Sequence, residues 1–463
     1  MSDPFDPVED WLGTDVELMP PAPGRFDVVH RRARRRKAAV ATMTVAGAAV
    51  LIAAAVTVPQ LASSLLPNHG GGPDKVGNSS SSSRRPSPSP TSHPSPHRST
   101  RPAGSHSSAP AAGGKLSILN SSAAPAARFE PTSITFVNSS VGAVLGQTTA
   151  GCQAVLCTTV AGTSDYGRTW TKVDAPPAVP PSGRIGVSQV RFLDGNNGWA
   201  YGPELYATHN GGATWTKIPG LNGRVTDLAT VGDRAYAVVA RCSGSGSDFA
   251  AECGRFALYS TLYNDDDWQP VAGASGRLPV RPGGLQLTGQ YGYLLAGSTL
   301  FVGSPSGGAW QKVTPASGLV PACLRGGSGP SGLLAPGANS DLYLLCPSAS
   351  GGHGVLYTSI DAGQTWLKSG PFTGPGPVTS LAVAPTSGTL VAATGKGIFY
   401  SDESAGQRSW HRAGSSGSAP AGGFSFVGMT TTMLGVAVPA NASVREIFIT
   451  RDGGLNWVAK AIS

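Results

Sequence analysis

A pair of carboxylates facing a cleft about 5 to 10 Å apart can hydrolyse a glycoside, so the acidic side chains are the first candidates for chemistry in this sequence. From Leu116 onward the glutamates are Glu130, Glu204, Glu252, Glu403 and Glu446, and no motif relates them. The aspartates are more regular: Asp165, Asp361 and Asp452 each follow a Ser or Thr by two residues and precede a Trp by five. That regularity marks turns, because an Asx side chain bonds the amides that follow it. Asp265-Asp266-Asp267 clusters oxygens as a calcium loop does, but it lacks the usual Gly and further donors and reads first as a solvated turn. His209, His353 and His411 are isolated from one another and from any Cys, and no Gly-x-Ser-x-Gly elbow, Walker loop or His-Glu-x-x-His pair occurs. The expectation is a chain with no catalytic residue, no metal and no cofactor, with a glycoside hydrolase as the competing reading.

The regular aspartates belong to an internal repeat. Four segments share one pattern: Thr163, Asp165, Gly167 and Trp170; Thr208, Asn210, Gly212 and Trp215; Ser359, Asp361, Gly363 and Trp366; Thr450, Asp452, Gly454 and Trp457. Three decayed copies end at Trp268, Trp310 and Trp410, so that successive Trp are 45, 53, 42, 56, 44 and 47 residues apart. A period near 48, met seven times, is that of propeller blades with four strands each. Every residue type in the pattern has a structural role. An apolar strand ends at Ser or Thr, Asp or Asn caps the turn, Gly supplies a positive φ, and Trp opens the next strand. The Trp, apolar with a single N–H to satisfy, suits the seam between blades. Around the second copy the strands read as 187–193, 198–202, 205–208 and 215–218. The fold class expected is all-β, a seven-bladed propeller over 116–463.

The repeated Ser/Thr-x-Asp-x-Gly-x-Thr-Trp resembles the Asp-box of the sialidase and BNR-repeat superfamily, which includes sialidases, xyloglucanases, sortilin-type receptors and photosystem assembly factors. The resemblance covers about 130 to 463. It implies a propeller and leaves the activity open, because the box is a structural turn in enzymes and binders alike. A sialidase-like enzyme would need an Arg-Ile-Pro start, an arginine triad, a Tyr nucleophile with a Glu, and an acid Asp. The nearest start here is Arg184-Ile185-Gly186, with Gly in place of Pro and in the second blade. A xyloglucanase-like enzyme would need two propellers, where this length holds one.

The six cysteines all follow residue 150, as an oxidising exterior favours. Neighbour pairing within a blade joins Cys152 to Cys157, Cys242 to Cys253 and Cys323 to Cys346. Sequence alone permits 15 pairings, and a zinc cluster is the alternative, disfavoured by the lack of Cys-x-x-Cys knuckles.

Ahead of the repeat lie three different compositions. Ala38 to Val58 is a stretch of 21 residues without charge, about 31 Å as a helix and enough to cross a bilayer. The basic run Arg31, Arg32, Arg34, Arg35, Arg36, Lys37 precedes it, so the positive-inside rule puts residues 1–37 in the cytoplasm and the propeller outside a cell membrane crossed once. Residues 59–115 form a Ser/Pro/Gly-rich disordered tether. The net charge of +8 sits mostly in these parts: residues 116–463 hold 21 basic and 18 acidic groups, with no clustered patch of the kind nucleic acid requires. The partners expected are an extracellular protein or glycan, the membrane through one helix, and no nucleic acid. The short head, 1–36, is similar to cytosolic segments of actinobacterial membrane proteins, some associated with sigma factors, which implies a cytosolic partner; a plain topology signal accounts for it as well.

Overall fold

The computed structural model describes residues 124–462 apart from short breaks, the longest at 243–252. The expected head, membrane helix and tether lie outside the described residues. Among the described residues no helix is long and apolar enough to cross a membrane.

Twenty-nine strands among these residues form seven sheets arranged as blades. The first blade is β1 (Glu130–Phe136), β2 (Gly142–Thr148), β3 (Cys157–Thr163) and β4 (Thr171–Val173); the second is β5 (Gln189–Phe192), β6 (Gly198–Tyr201), β7 (Leu205–Thr208) and β8 (Thr216–Lys217). The third is β9 (Arg224–Val231), β10 (Arg234–Cys242), β11 (Cys253–Leu262) and β12 (Gln269–Arg277); the fourth is β13 (Val280–Leu287), β14 (Gly292–Ala296), β15 (Thr299–Gly303) and β16 (Gln311–Lys312). The fifth is β17 (Leu333–Pro336), β18 (Leu342–Cys346), β19 (Val355–Ser359) and β20 (Leu367–Pro371); the sixth is β21 (Val378–Val383), β22 (Leu390–Thr394), β23 (Gly397–Ser404) and β24 (Gln407–Arg412). In the seventh, β25 (Gly414–Ser416) runs parallel to the outer edge of β29 (Asn456–Ala461), followed inward by β28 (Glu446–Thr450), β27 (Gly435–Pro439) and β26 (Phe424–Met429).

Burial explains why the sequence pattern changes across a blade. Second strands such as β6 and β18 are buried at every position and read as unbroken apolar runs, as strands covered on both faces do. The inner strand β5 alternates buried and half-buried residues, and the outer strand β8 is exposed.

Seven apolar clusters coincide with the seven seams, and each contains one repeat Trp that faces the preceding blade. Trp268 packs with Trp199 and Leu205 of the second blade, Trp310 with Tyr236 and Leu258 of the third, and Trp366 with Tyr293 and Leu295 of the fourth. Trp215, Trp410 and Trp457 fill the corresponding seams. Edge-to-face contacts such as Phe192 with Trp215 and Trp199 with Trp268 recur there, worth about 1 kcal/mol each beyond the area buried. The ring closes without exchange of a strand. Ile447 and Ile449 of β28 meet Ile134, Phe136 and Trp170 of the first blade, and Arg451 Nη2 donates to the carbonyl of Tyr166.

Disulfides join Cys152 to Cys157 and Cys323 to Cys346. The second pair differs from the expectation in one respect. Cys323 lies on a 3₁₀ turn (Ala322–Leu324) in the connection entering the fifth blade, and reaches the end of β18. Cys242 and Cys253 stand opposite each other in the register of β10 and β11, and their side chains lie outside the described residues. All three positions are at the end of the blades where second strands pass to third strands.

Candidate functional site

The repeat residues build the turns between third and fourth strands. In the first, Thr163 Oγ1 donates to Asp165 Oδ1 (2.9 Å) and accepts the Gly167 amide (3.0 Å). Asp165 Oδ1 accepts the amides of Arg168 and Thr169, and its Oδ2 accepts the Thr169 hydroxyl at 2.6 Å. Asp361 and Asp452 repeat this arrangement, Asn210 accepts the Thr214 amide through Oδ1 and donates from Nδ2 to the Thr214 hydroxyl, and Thr208, Ser359 and Thr450 accept the amides of Gly212, Gly363 and Gly454. Burial raises the Asp165 and Asp452 carboxyls, yet the hydrogen bonds from Thr169 and Asn456 outweigh it and hold both below the usual value. These carboxylates are turn-formers at the ring's periphery.

Asp266 is placed differently from a calcium ligand: its carboxylate crosses to the second blade, 2.9 Å from His209 Nε2 and 3.4 Å from Trp199 Nε1. His209 Nδ1 in turn meets Asn197 Oδ1 at 2.9 Å. Among the described residues no three His, Cys, Asp or Glu side chains gather as a metal would require.

The seven inner strands enclose a central channel with a volume of about 1800 Å³. Its wall is stitched by a second repeat, one that the spacing of the Trp does not reveal. Pro131-Thr132-Ser133-Ile134, Val225-Thr226-Asp227-Leu228 and Val378-Thr379-Ser380-Leu381 occupy the same place in β1, β9 and β21. In each, the Thr sits at a bulge, so its hydroxyl reaches a backbone carbonyl: Leu145 and Ser188 for Thr132, Val238 for Thr226, Ala393 and Phe424 for Thr379. The next residue accepts an amide from the following blade. Val190 N bonds Ser133 Oγ at 3.1 Å, Val427 N bonds Ser380 Oγ at 3.2 Å, and Leu285 N bonds Asp227 Oδ2 at 2.9 Å. Asp227 therefore stands where its counterparts are serines.

Asp227 is 3% exposed and also accepts the amide of Leu228 at 3.0 Å. Burial pushes its carboxyl up to about 6, against the pull of the Leu285 amide and the Arg191 charge. Arg191 lines the same channel. Its Nη1 donates to the Val190 carbonyl at 2.8 Å and to Ser133 Oγ at 3.4 Å, and its guanidinium carbon lies 5.7 Å from the ring centroid of Phe426. Tyr201 also lines the channel, with burial driving its hydroxyl up to about 12. The only sequence signal for this wall is the short Thr-Ser/Asp-apolar repeat, three residues long and present in three blades of seven.

In fold, the chain is similar to an ancestral GH74 enzyme, with a TM-score of 0.50 and 13% identity over 73% of this chain and 47% of that one. It also matches the GH74 xyloglucanase from Xanthomonas campestris (TM-score 0.43, 16% identity, 71% of this chain and 60% of that one). YCF48 bound to D1 peptide matches at a TM-score of 0.39 and 16% identity, over 62% of this chain and 87% of that one. The chain thus spans about half the length of the ancestral enzyme. It matches no family model and no curated relative. Identities this low show the fold alone: an all-β propeller of seven blades with four-stranded sheets.

Proposed function

We propose that this chain is a non-enzymatic propeller that binds a protein or glycan outside the cell, held to the membrane by residues 38–58 and displayed on the tether that follows. The observation that carries the reading is the make-up of the channel. Among its described lining residues Asp227 is the one carboxylate, and two backbone amides occupy its oxygens. A glycosidase needs two carboxyls across a cleft, one as acid and one as base or nucleophile. A Tyr nucleophile would need a lowered hydroxyl pKa, and burial moves Tyr201 the other way. What remains is a large concave surface with polar groups directed inward, the form of a binding site. The turns around Asp165, Asn210, Asp361 and Asp452 fit Asp-boxes of the BNR type in a structural part.

The test uses the full chain in detergent. It is incubated with a polysaccharide panel and, separately, used to capture partners from cell-wall and secreted material. The expected result is specific capture without sugar release. Sugar release abolished by one Asp or Glu substitution would replace this reading with the hydrolase.

A further inference from the structure

One seam of the ring is left open at its rim. Of the four close copies of the turn, Trp170, Trp366 and Trp457 are buried, at 5%, 3% and 1% exposed, whereas Trp215 is half-buried. The cause lies in the outer strands. β4 pairs with β3 only over Val160 to Gly162, so Cys157 to Thr159 run on beyond the edge strand, and β8 is two residues long. A cavity of about 470 Å³ lies between the first and second blades, with Thr158, Lys172, Asp174, Thr214 and Trp215 in its wall. That volume is within the range of small-molecule sites.

Thr158 points to an occupant. It lies two residues before Val160, which packs in this seam with Val173 and Trp215, and so presents its side chain to the same side. It is 8% exposed, and its hydroxyl has no hydrogen-bond partner among the described residues. Trp215 is fixed in the same cavity: Nε1 donates to the Asp174 carbonyl at 2.8 Å, and Phe192 meets the ring edge to face. Lys172 and Asp174 are exposed and bring one charge of each sign.

We propose that this cavity binds a neutral pyranose ring of a glycan, laid against Trp215 with its hydroxyls on Thr158, Lys172 and Asp174. The site is separate from the channel, and a failure of either leaves the other standing. A sugar hydroxyl both donates and accepts, so one ring matches a hydroxyl, an ammonium and a carboxylate at once. An apolar side chain of a protein partner would cover Trp215 equally well but would leave Thr158 without a bond, which is costly for a buried hydroxyl. Balanced charge exerts no pull on a polyanion, which needs a track of cations.

The full chain, in a detergent without a sugar headgroup, is titrated with methyl glucoside, methyl galactoside, methyl mannoside and, separately, N-acetylleucinamide. At least one of the three glycosides is expected to bind with a Kd of about 1 mM. Trp215→Ala is expected to weaken that glycoside about tenfold or more, and Trp215→Phe to restore part of the loss. Thr158→Val supplies a second variant should Trp215→Ala fail to fold. It is expected to weaken binding about fivefold and to leave the thermal midpoint unchanged or raised, because it removes an unpartnered buried hydroxyl. No binding of any glycoside, or indifference to substitution at both Trp215 and Thr158, overturns the proposal. A lower midpoint for Thr158→Val shows that the hydroxyl serves the fold and overturns it as well. Glycoside binding lost in Arg191→Gln but kept in Trp215→Ala and Thr158→Val moves the sugar to the channel. Binding of N-acetylleucinamide at Trp215 in place of the glycosides gives the cavity to a protein side chain, and either of these two results overturns the sugar site.

Discussion

The peripheral turns and the channel wall both use Ser, Thr and Asp side chains to hold backbone amides, but over very different distances along the chain. In a turn such as Thr163 to Trp170 the bonds link residues two to four apart. At the wall the bonds from Val190, Leu285 and Val427 span 57, 58 and 47 residues. A local bond shapes its own turn whatever the neighbouring blade does, whereas a bond across a seam exists only when two blades are docked. The difference extends to charge: the half-buried turn carboxyls are held low by their hydrogen bonds, while the buried Asp227 is pushed up despite its own.

The sharpest way to break the comparison is to remove the acceptors. Asp227→Ala leaves the amides of Leu228 and Leu285 buried without partners, and is expected to cost about 3 kcal/mol. Ser380→Ala, which removes one neutral acceptor from the equivalent place, is expected to cost about 1 kcal/mol. Urea midpoints measure both, and an equal loss would mean that the second amide held by Asp227 adds nothing to stability. Next in size, Asp165→Ala frees a peripheral turn whose amides are exposed to water, with an expected loss of about 1.5 kcal/mol by analogy with a lost cap. A loss exceeding that of Asp227→Ala would reverse the ranking of the two regions.

Acid should act on the two regions with opposite sign. The folded pKa of Asp227 lies above its ordinary value, so its stabilising contribution is fully present below about pH 4 and is lost as pH rises through about 6. Asp165 and Asp452 lie below their ordinary value, so theirs is present above about pH 4 and lost as pH falls further. Stability should therefore decline by about 1 kcal/mol between pH 5 and pH 7, a slope that Asp227→Asn removes. A flat profile in the parent chain would sink this account of Asp227.

The smallest effect concerns one turn. Tyr166 adopts φ 67° and is half exposed, where the equivalent residues of two other turns are Gly211 and Gly453, with φ 70° and 79°. Tyr166→Gly relieves a left-handed side chain and is expected to stabilise by about 0.5 kcal/mol after the added unfolded-state freedom of Gly. Differential scanning calorimetry resolves the sign; a lower midpoint would show that the ring's contact with Arg168 outweighs the backbone.

Spacing makes the blades legible. In the four close copies the Trp sits seven residues beyond a Ser or Thr because the turn closes on itself, and with the three decayed copies at blade spacing the blade number, strand order and seam position of the indoles follow from the repeat. The wall is not legible in the same way. Thr226-Asp227-Leu228 resembles any short polar insertion until β9 is seen beside β13, and His209, isolated along the chain, lies within 2.9 Å of Asp266 from the next blade. Spacing places Cys323 in the fifth blade, yet it lies on the connection entering it.

By itself, then, the order of residues determined what bonds over two to five positions: the turns, the indole that follows each, and the alternation that makes a strand. Tertiary structure alone decided which side chains of different blades meet, and hence that Arg191, Arg224 and Asp227 share one wall of one channel. The physical reason is that closing the ring brings together groups more than thirty residues apart, and no periodicity in the chain encodes which of seven diverged inner strands carries the charge.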